Sequence, residues 1–126
     1  MPVAIDTSVL ISAEREGNIE RLLPEDNAGP YYIPTLAATE FLVGTQPPVR
    51  QDLRLRAAQL YQNRFRALVS SFTEADAAQL ALLIVAQKAK GQQMKFFDAA
   101  IAATALARGE KLLVLDADFD RLEDQI

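Results

Sequence analysis

A chain of 126 residues, half of them apolar, can bury one sizeable core and reads as a single domain over 1–126. It holds no cysteine and no histidine, which excludes disulfides, thiolate nucleophiles, Ser-His-Asp triads and imidazole metal sites. Acid–base work then falls to carboxylates, lysine, tyrosine or a metal-bound water. The net charge of −4 argues against a simple nucleic-acid binder, no apolar run approaches the ~20 residues of a membrane span, and the missing cysteines fit a cytoplasmic protein without a signal peptide.

The first stretch, Val3-Ala4-Ile5-Asp6-Thr7-Ser8-Val9-Leu10, reads as a buried strand over 2–6 that ends in a carboxylate and turns straight into a helix over 8–16. Thr7 or Ser8 can cap that helix, since either hydroxyl can accept from the first helical turn, and Asp6 also reads as an N-cap. Gly17 ends that helix, a short turn follows over 18–23, and the Pro- and Gly-bearing stretch 24–30 is a loop. Tyr31-Tyr32-Ile33 is a short strand, and Pro34 and Thr35 open a helix over 36–43 closed by Gly44.

A long helix is expected over 49–68, with Leu53, Ala57, Leu60, Tyr61, Phe65 and Leu68 on one stripe. Arg50, Arg54 and Arg64 lie on or beside that stripe, either with their stems on apolar surface or facing a partner or RNA. Residues 69–72 form a candidate strand. Thr73, with Asp76 three residues on, caps a helix over 75–89 whose apolar character nearly all round predicts deep burial. Gly91 ends it. An alanine-rich helix spans 97–107, and Leu112-Leu113-Val114-Leu115 is a buried strand that ends in Asp116-Ala117-Asp118. Strands alternating with helices imply an α/β fold: a three-layer α/β/α sandwich around a mainly parallel sheet.

In such a sheet, strand ends and helix starts gather along one edge. Asp6 ends the first strand, Asp116 ends the last, Asp98 opens the alanine-rich helix, and Glu40 lies in the helix after the second strand. Each acid alone also reads as a cap, a turn former or an exposed helix residue. Together they predict a carboxylate cluster that repels itself unless a cation fills it. Oxygen-only donors suit Mg²⁺ or Mn²⁺, and such ions suit phosphodiester hydrolysis without histidine. Charge is uneven along the chain: Arg50 to Arg66 holds five arginines against one aspartate, and Asp116 to Asp124 holds five acids against one arginine. An acidic site beside a separate basic surface would look like this.

Four stretches carry a resemblance: Ala4-Ile5-Asp6-Thr7-Ser8-Val9-Leu10-Ile11, Thr39-Glu40-Phe41-Leu42-Val43-Gly44, Phe97-Asp98-Ala99-Ala100-Ile101-Ala102-Ala103-Thr104-Ala105-Leu106 and Leu113-Val114-Leu115-Asp116-Ala117-Asp118-Phe119. The pattern resembles the PIN domain and, within it, the VapC-type toxins of prokaryotic toxin–antitoxin pairs. The resemblance implies an Mg²⁺- or Mn²⁺-dependent endoribonuclease, usually a homodimer, neutralised by a small antitoxin. It implies Asp6, Glu40 and Asp98 as the first three acids. Asp116 and Asp118 both fit the fourth motif, with Asp116 favoured as the inner acid and Asp118 as an auxiliary. Many relatives have Asn where Ser8 stands and Thr where Leu115 stands. Arg50, Arg54, Lys88, Lys90 and Lys95 are candidate contacts to the RNA backbone.

Two other classes compete. A decayed nuclease fold that only binds a partner would have no reason to keep every candidate acid. A phosphohydrolase acting through an aspartyl-phosphate normally has a second acid two residues after its nucleophile, and Ser8 occupies that place.

Overall fold

The computed structural model describes residues 2–22, 31–116 and 121–124, with the side chains of 19, 20, 116 and 121–124 outside that description. Strand β1 (Val3–Ile5) lies at the centre of a five-stranded sheet of order β3-β2-β1-β4-β5. It pairs in parallel with β2 (Tyr31–Pro34) on one side and β4 (Lys111–Asp116) on the other. Ala4 faces Tyr32 across one ladder and Leu112 across the other. Ala4 and Ile5 are completely buried, which is why β1 reads as a continuous apolar run rather than an alternation. A short β3 (Val69–Ser70) extends the sheet beyond β2 in parallel. The far edge is β5 (Arg121–Asp124), antiparallel to β4, a strand the sequence reading did not find. The predicted loop over 24–30 lies outside the described residues.

Helix α1 (Thr7–Glu16) leaves β1 without a linker and stops at Gly17, whose φ of 64° lets its N–H reach Ala13 O at 3.1 Å. A short α2 (Ile19–Leu22) follows. Helix α3 (Thr35–Val43) follows β2 as directly as α1 follows β1. The long helix expected over 49–68 is α4 (Gln51–Leu60), which continues through a π-helical turn over Tyr61–Phe65 and a 3₁₀ turn over Arg66–Leu68. Its stripe behaves as predicted: Ala57 and Phe65 are buried, and Phe65 meets Phe41 of α3 edge-on at 5.2 Å while Tyr61 stacks on the same ring at 6.3 Å. One core cluster joins α1, α3 and α4 to the sheet, and a second joins helices α5 (Glu74–Ala89) and α6 (Phe96–Ala107). The result is a three-layer α/β/α sandwich around a mainly parallel sheet.

Helix α6 presents Ala99, Ala100, Ala103 and Ala105, all buried, to the sheet and to α5. Side chains this small let the helix axis come close to its neighbours. Helix α5 departs from expectation. Only Asp76 and Leu80 are buried on it, while Leu82 and Val85 are 65% and 66% exposed. Apolar residues on every side of a helix demand burial only if each side has a neighbour. Here α5 rests by one face on α6, and nothing among the described residues covers the rest.

The start of α5 is fixed by a capping box: Thr73 N–H donates to Asp76 Oδ2 at 2.8 Å and Asp76 N–H donates to Thr73 Oγ1 at 3.2 Å. Asp76 is fully buried, and Arg108 at the end of α6 supplies the opposite charge at 3.2 Å. The same guanidinium donates to Ser70 Oγ at 2.9 Å and lies 4.7 Å over the Tyr32 ring. One cation thus ties β2, β3, α5 and α6 together. Burial, reinforced by the neighbouring Glu110 carboxylate, pushes the Tyr32 phenol well above its ordinary value, against the opposing pull of Arg108. Above about pH 10 the unfolded chain therefore gives up a proton that the folded chain keeps, so stability is full below that pH and falls as pH rises beyond it. Urea melts between pH 8 and pH 11 should show this alkaline loss in the wild type and a smaller loss in Tyr32→Phe. Equal slopes for the two proteins would mean that Tyr32 is not the group responsible.

Candidate active site

Asp6 follows β1 directly and has the extended backbone of a residue half outside a helix (φ −74°, ψ 157°). Its Oδ2 accepts from Ser8 N–H at 3.0 Å and from the Ser8 hydroxyl at 2.7 Å. Asp6 is therefore the N-cap, one of the roles open to it from sequence, and neither Thr7 nor Ser8, which could also have capped the helix, does so. The physical reason is position: both hydroxyl residues already lie within the helix, so neither can serve the free N–H groups ahead of it.

The hydroxyls do something else. Ser8 Oγ, while donating to Asp6, accepts from Leu115 N–H at 3.1 Å. Asp6 N–H donates to Leu113 O at 3.0 Å. These bonds lock the end of β1 to the end of β4. Thr7, buried, donates from Oγ1 to Glu40 Oε1 at 2.6 Å, so Glu40 on α3 is held by the residue next to Asp6. Sequence reading missed both roles. The available signal was two hydroxyl residues directly after an acid at a strand end.

Asp98 lies exposed in the first turn of α6. It shares with Asp6 the lining of a cleft of about 470 Å³. Leu83, Leu112 and Val114 give that cleft an apolar wall, and Met94 stands on it as well. Asp116 ends β4, where its backbone pairs with Arg121; its side chain and the whole of Asp118 lie outside the described residues. The structure thus brings Asp6 and Asp98 to one cleft and joins Glu40 to them through Thr7. Among the described residues, no three acids stand close enough to hold one metal ion between them. The acids that line the cleft nonetheless offer carboxylate oxygens, and these suit a hard divalent cation.

The candidate basic residues divide. Arg50 is engaged by Asp52 at 2.6 Å and 3.0 Å, and the pairing raises the pKa of the guanidinium and lowers that of the carboxyl. Arg54 donates to Val49 O at 2.8 Å. Both are committed to their own helix start. Lys88, Lys90 and Lys95 are exposed around the turn that leads to Asp98.

Residues 3–125 match the model of the PIN domain. The chain belongs to the PIN-domain family. No curated relative matches its sequence. Among solved structures, it is similar to VapBC2 from Rickettsia felis bound to a DNA fragment from its promoter, at 18% identity and a TM-score of 0.75, covering 97% of this chain and 93% of that one. It is similar to VapBC-5 from Mycobacterium tuberculosis, a member of the VapBC family of toxin-antitoxin systems, at 21% identity and 0.71, covering 94% and 87%. It is also similar to VapC20 from the same organism, a toxin that cleaves the sarcin-ricin loop, at 17% identity and 0.62, covering 93% and 92%. At these identities the likeness is one of fold. In this PIN domain the carboxylate that caps α1 is also one that lines the cleft, so cap geometry and cleft geometry are one problem.

Ser8→Ala should therefore act on both. It removes a donor to Asp6 and leaves the half-buried Leu115 N–H without its acceptor, at a cost of about 1–2 kcal/mol. Urea denaturation should show a lower midpoint with an unchanged slope. A midpoint equal to the wild type would mean that water or a shifted backbone replaces the hydroxyl.

Proposed function

We propose that this PIN domain is a divalent-metal-dependent endoribonuclease and the toxin of a type II toxin–antitoxin pair. The observation that carries the reading is the cleft lined by both Asp6 and Asp98, with Glu40 held through Thr7 at its side. Asp6, Glu40, Asp98 and Asp116 are the residues that would hold Mg²⁺ or Mn²⁺, with Asp118 as an auxiliary. Such ions, when bound, supply an activated water and stabilise charge on a leaving oxygen. The chain's own residues do the positioning. Ser8 fixes the Asp6 carboxylate, with both bonds on Oδ2 so that Oδ1 stays out of the cap. Thr7 fixes one oxygen of Glu40. The apolar wall of Leu83, Leu112 and Val114 lowers the local dielectric beside the acids.

The similar VapBC structures support an antitoxin partner, and the sarcin-ricin cleavage by VapC20 supports RNA as substrate. An acidic cleft would take a basic side chain of an antitoxin through paired hydrogen bonds. The uncovered apolar face of α5, with Leu82 and Val85, supports a homodimer. No helix among the described residues is long and apolar enough to cross a membrane, and the cysteine-free sequence fits a cytoplasmic location.

Two experiments test the reading. The purified protein should cleave single-stranded or looped RNA with Mg²⁺ or Mn²⁺ and not in EDTA, and Asp98→Asn should abolish cleavage while keeping the circular dichroism of the wild type. Activity that persists unchanged in excess EDTA would overturn metal dependence.

Thermal melts separate a metal ligand from a simple cap at Asp6. Asn caps helices as well as Asp does, and the substitution relieves repulsion among carboxylates. In EDTA, Asp6→Asn should melt at or above the wild-type temperature. Added Mg²⁺ or Mn²⁺ should reverse the order, because the wild type gains about 2.7 kcal/mol at metal concentrations near 100 times Kd and the variant gains less. Absence of any metal-dependent shift in the wild type would leave Asp6 as a cap alone.

A further inference from the structure

The turn between α5 and α6 has a feature that folding does not require. Helix α5 ends in a Schellman motif: Gly91, at φ 69°, donates its N–H to Lys88 O at 3.1 Å, and Gln92 N–H reaches back to Gln87 O at 2.9 Å. The two residues that this motif brings together usually make an apolar contact. Here both are glutamines, and both line a cavity of about 320 Å³ together with Gln93. Ile84 and Ala99 form apolar parts of its lining, and Lys88 adds a cation.

Phe96 belongs to the same cavity and is 59% exposed. Its ring is held by an edge-to-face contact with Phe97 at 5.8 Å. It precedes Asp98 by two residues. Met94 lines both this cavity and the cleft of Asp6 and Asp98, so the two hollows adjoin. Lys90 and Lys95, both exposed, flank the turn.

We propose that this cavity is a subsite for one nucleobase of single-stranded RNA, next to the phosphate presented to the acids. The inference rests on the ribonuclease reading above and deepens it. An exposed aromatic ring offers a stacking platform to any base. Amide side chains carry a donor and an acceptor each, the pattern needed to read base edges. The lysines lie where a flanking backbone needs neutralising in a protein whose net charge is negative. An apolar peptide would leave the three amides unpaired, and a purely anionic ligand would make no use of Phe96. A base joined to a phosphodiester uses all of these groups.

The test uses the full chain and short single-stranded RNAs of each base composition. Affinity is read by fluorescence anisotropy in EDTA, and cleavage preference is read with Mn²⁺. Phe96→Ala should weaken RNA binding about 5- to 150-fold, the range of one lost stacked base, and Phe96→Tyr should restore it. Gln92→Ala should flatten the preference among bases with a smaller loss of affinity. Wild type that cleaves RNA, with Phe96→Ala and Gln92→Ala matching it in affinity and preference, would overturn the subsite and leave the ribonuclease reading standing. Wild type that binds RNA without cleaving it, with Phe96→Ala weakened, would support the subsite and remove the catalytic reading. Wild type that binds no RNA overturns both. A changed sedimentation coefficient for Phe96→Ala at unchanged RNA affinity would assign the surface to protein contact and overturn the subsite.

Discussion

The hydrogen bonds around Ser8 are the constraint on which the candidate site depends. One small hydroxyl donates to Asp6 Oδ2 and accepts from Leu115 N–H, so a helix start and a strand end are fixed by the same atom. Asp6 N–H closes the arrangement on Leu113 O. The central strand, its cap and the neighbouring strand end then move as one unit. A carboxylate at a strand end is otherwise free to turn into solvent. Here two of its acceptor positions are taken by the cap, and its remaining capacity faces no competitor from the helix.

The second acid is placed by packing rather than by hydrogen bonds. Asp98 sits on a helix whose inner surface is mostly alanine, with Ile101 and Thr104 buried among it, and Ala100, Ala103 and Ala105 have no exposed surface at all. Close approach of α6 to the sheet leaves little freedom to slide or rotate, because interiors at this density resist even small shifts. The far end of α6 is held by Arg108, which spans Asp76, Ser70 and the Tyr32 ring. A buried carboxylate such as Asp76 would be costly without that cation. An ion pair remote from the cleft thereby contributes to where Asp98 stands.

Charge is divided among the elements. Asp6 and Asp98 line one cleft, while Lys88, Lys90 and Lys95 lie around the turn before α6. Arginines between 50 and 66 looked like the basic surface, yet Arg50 pairs with Asp52 and Arg54 donates to Val49 O, both at the start of their own helix. Under the proposed ribonuclease reading, a net negative protein can hold RNA through the lysine turn without repelling it at the cleft as a whole.

Much of the fold was written locally. The continuous apolar run of β1, the stripe on α4, the Thr73–Asp76 box and the alanine pattern of α6 are properties of short windows, and a window suffices to read them because capping and periodicity act within a few residues. The chain alone also put Asp6 and Asp116 at strand ends and Asp98 at a helix start, with Glu40 inside a helix beside them, and the alternation of elements implied one edge for the first three. It could not say which of Asp6, Thr7 and Ser8 caps α1, since that turns on where the helix begins, nor that the Ser8 hydroxyl is taken by Leu115, more than a hundred residues away. Nor could it show that the outer face of α5 stays uncovered among the described residues, because burial depends on a neighbour and the helix's own residues do not name one. The edge strand Arg121–Asp124 has no apolar alternation to reveal it and exists through its ladder with β4. Sequence fixed which side chains carry charge and which segments form elements. Only the tertiary structure decided which of those charges meet, because that is set by distances between segments far apart in the chain.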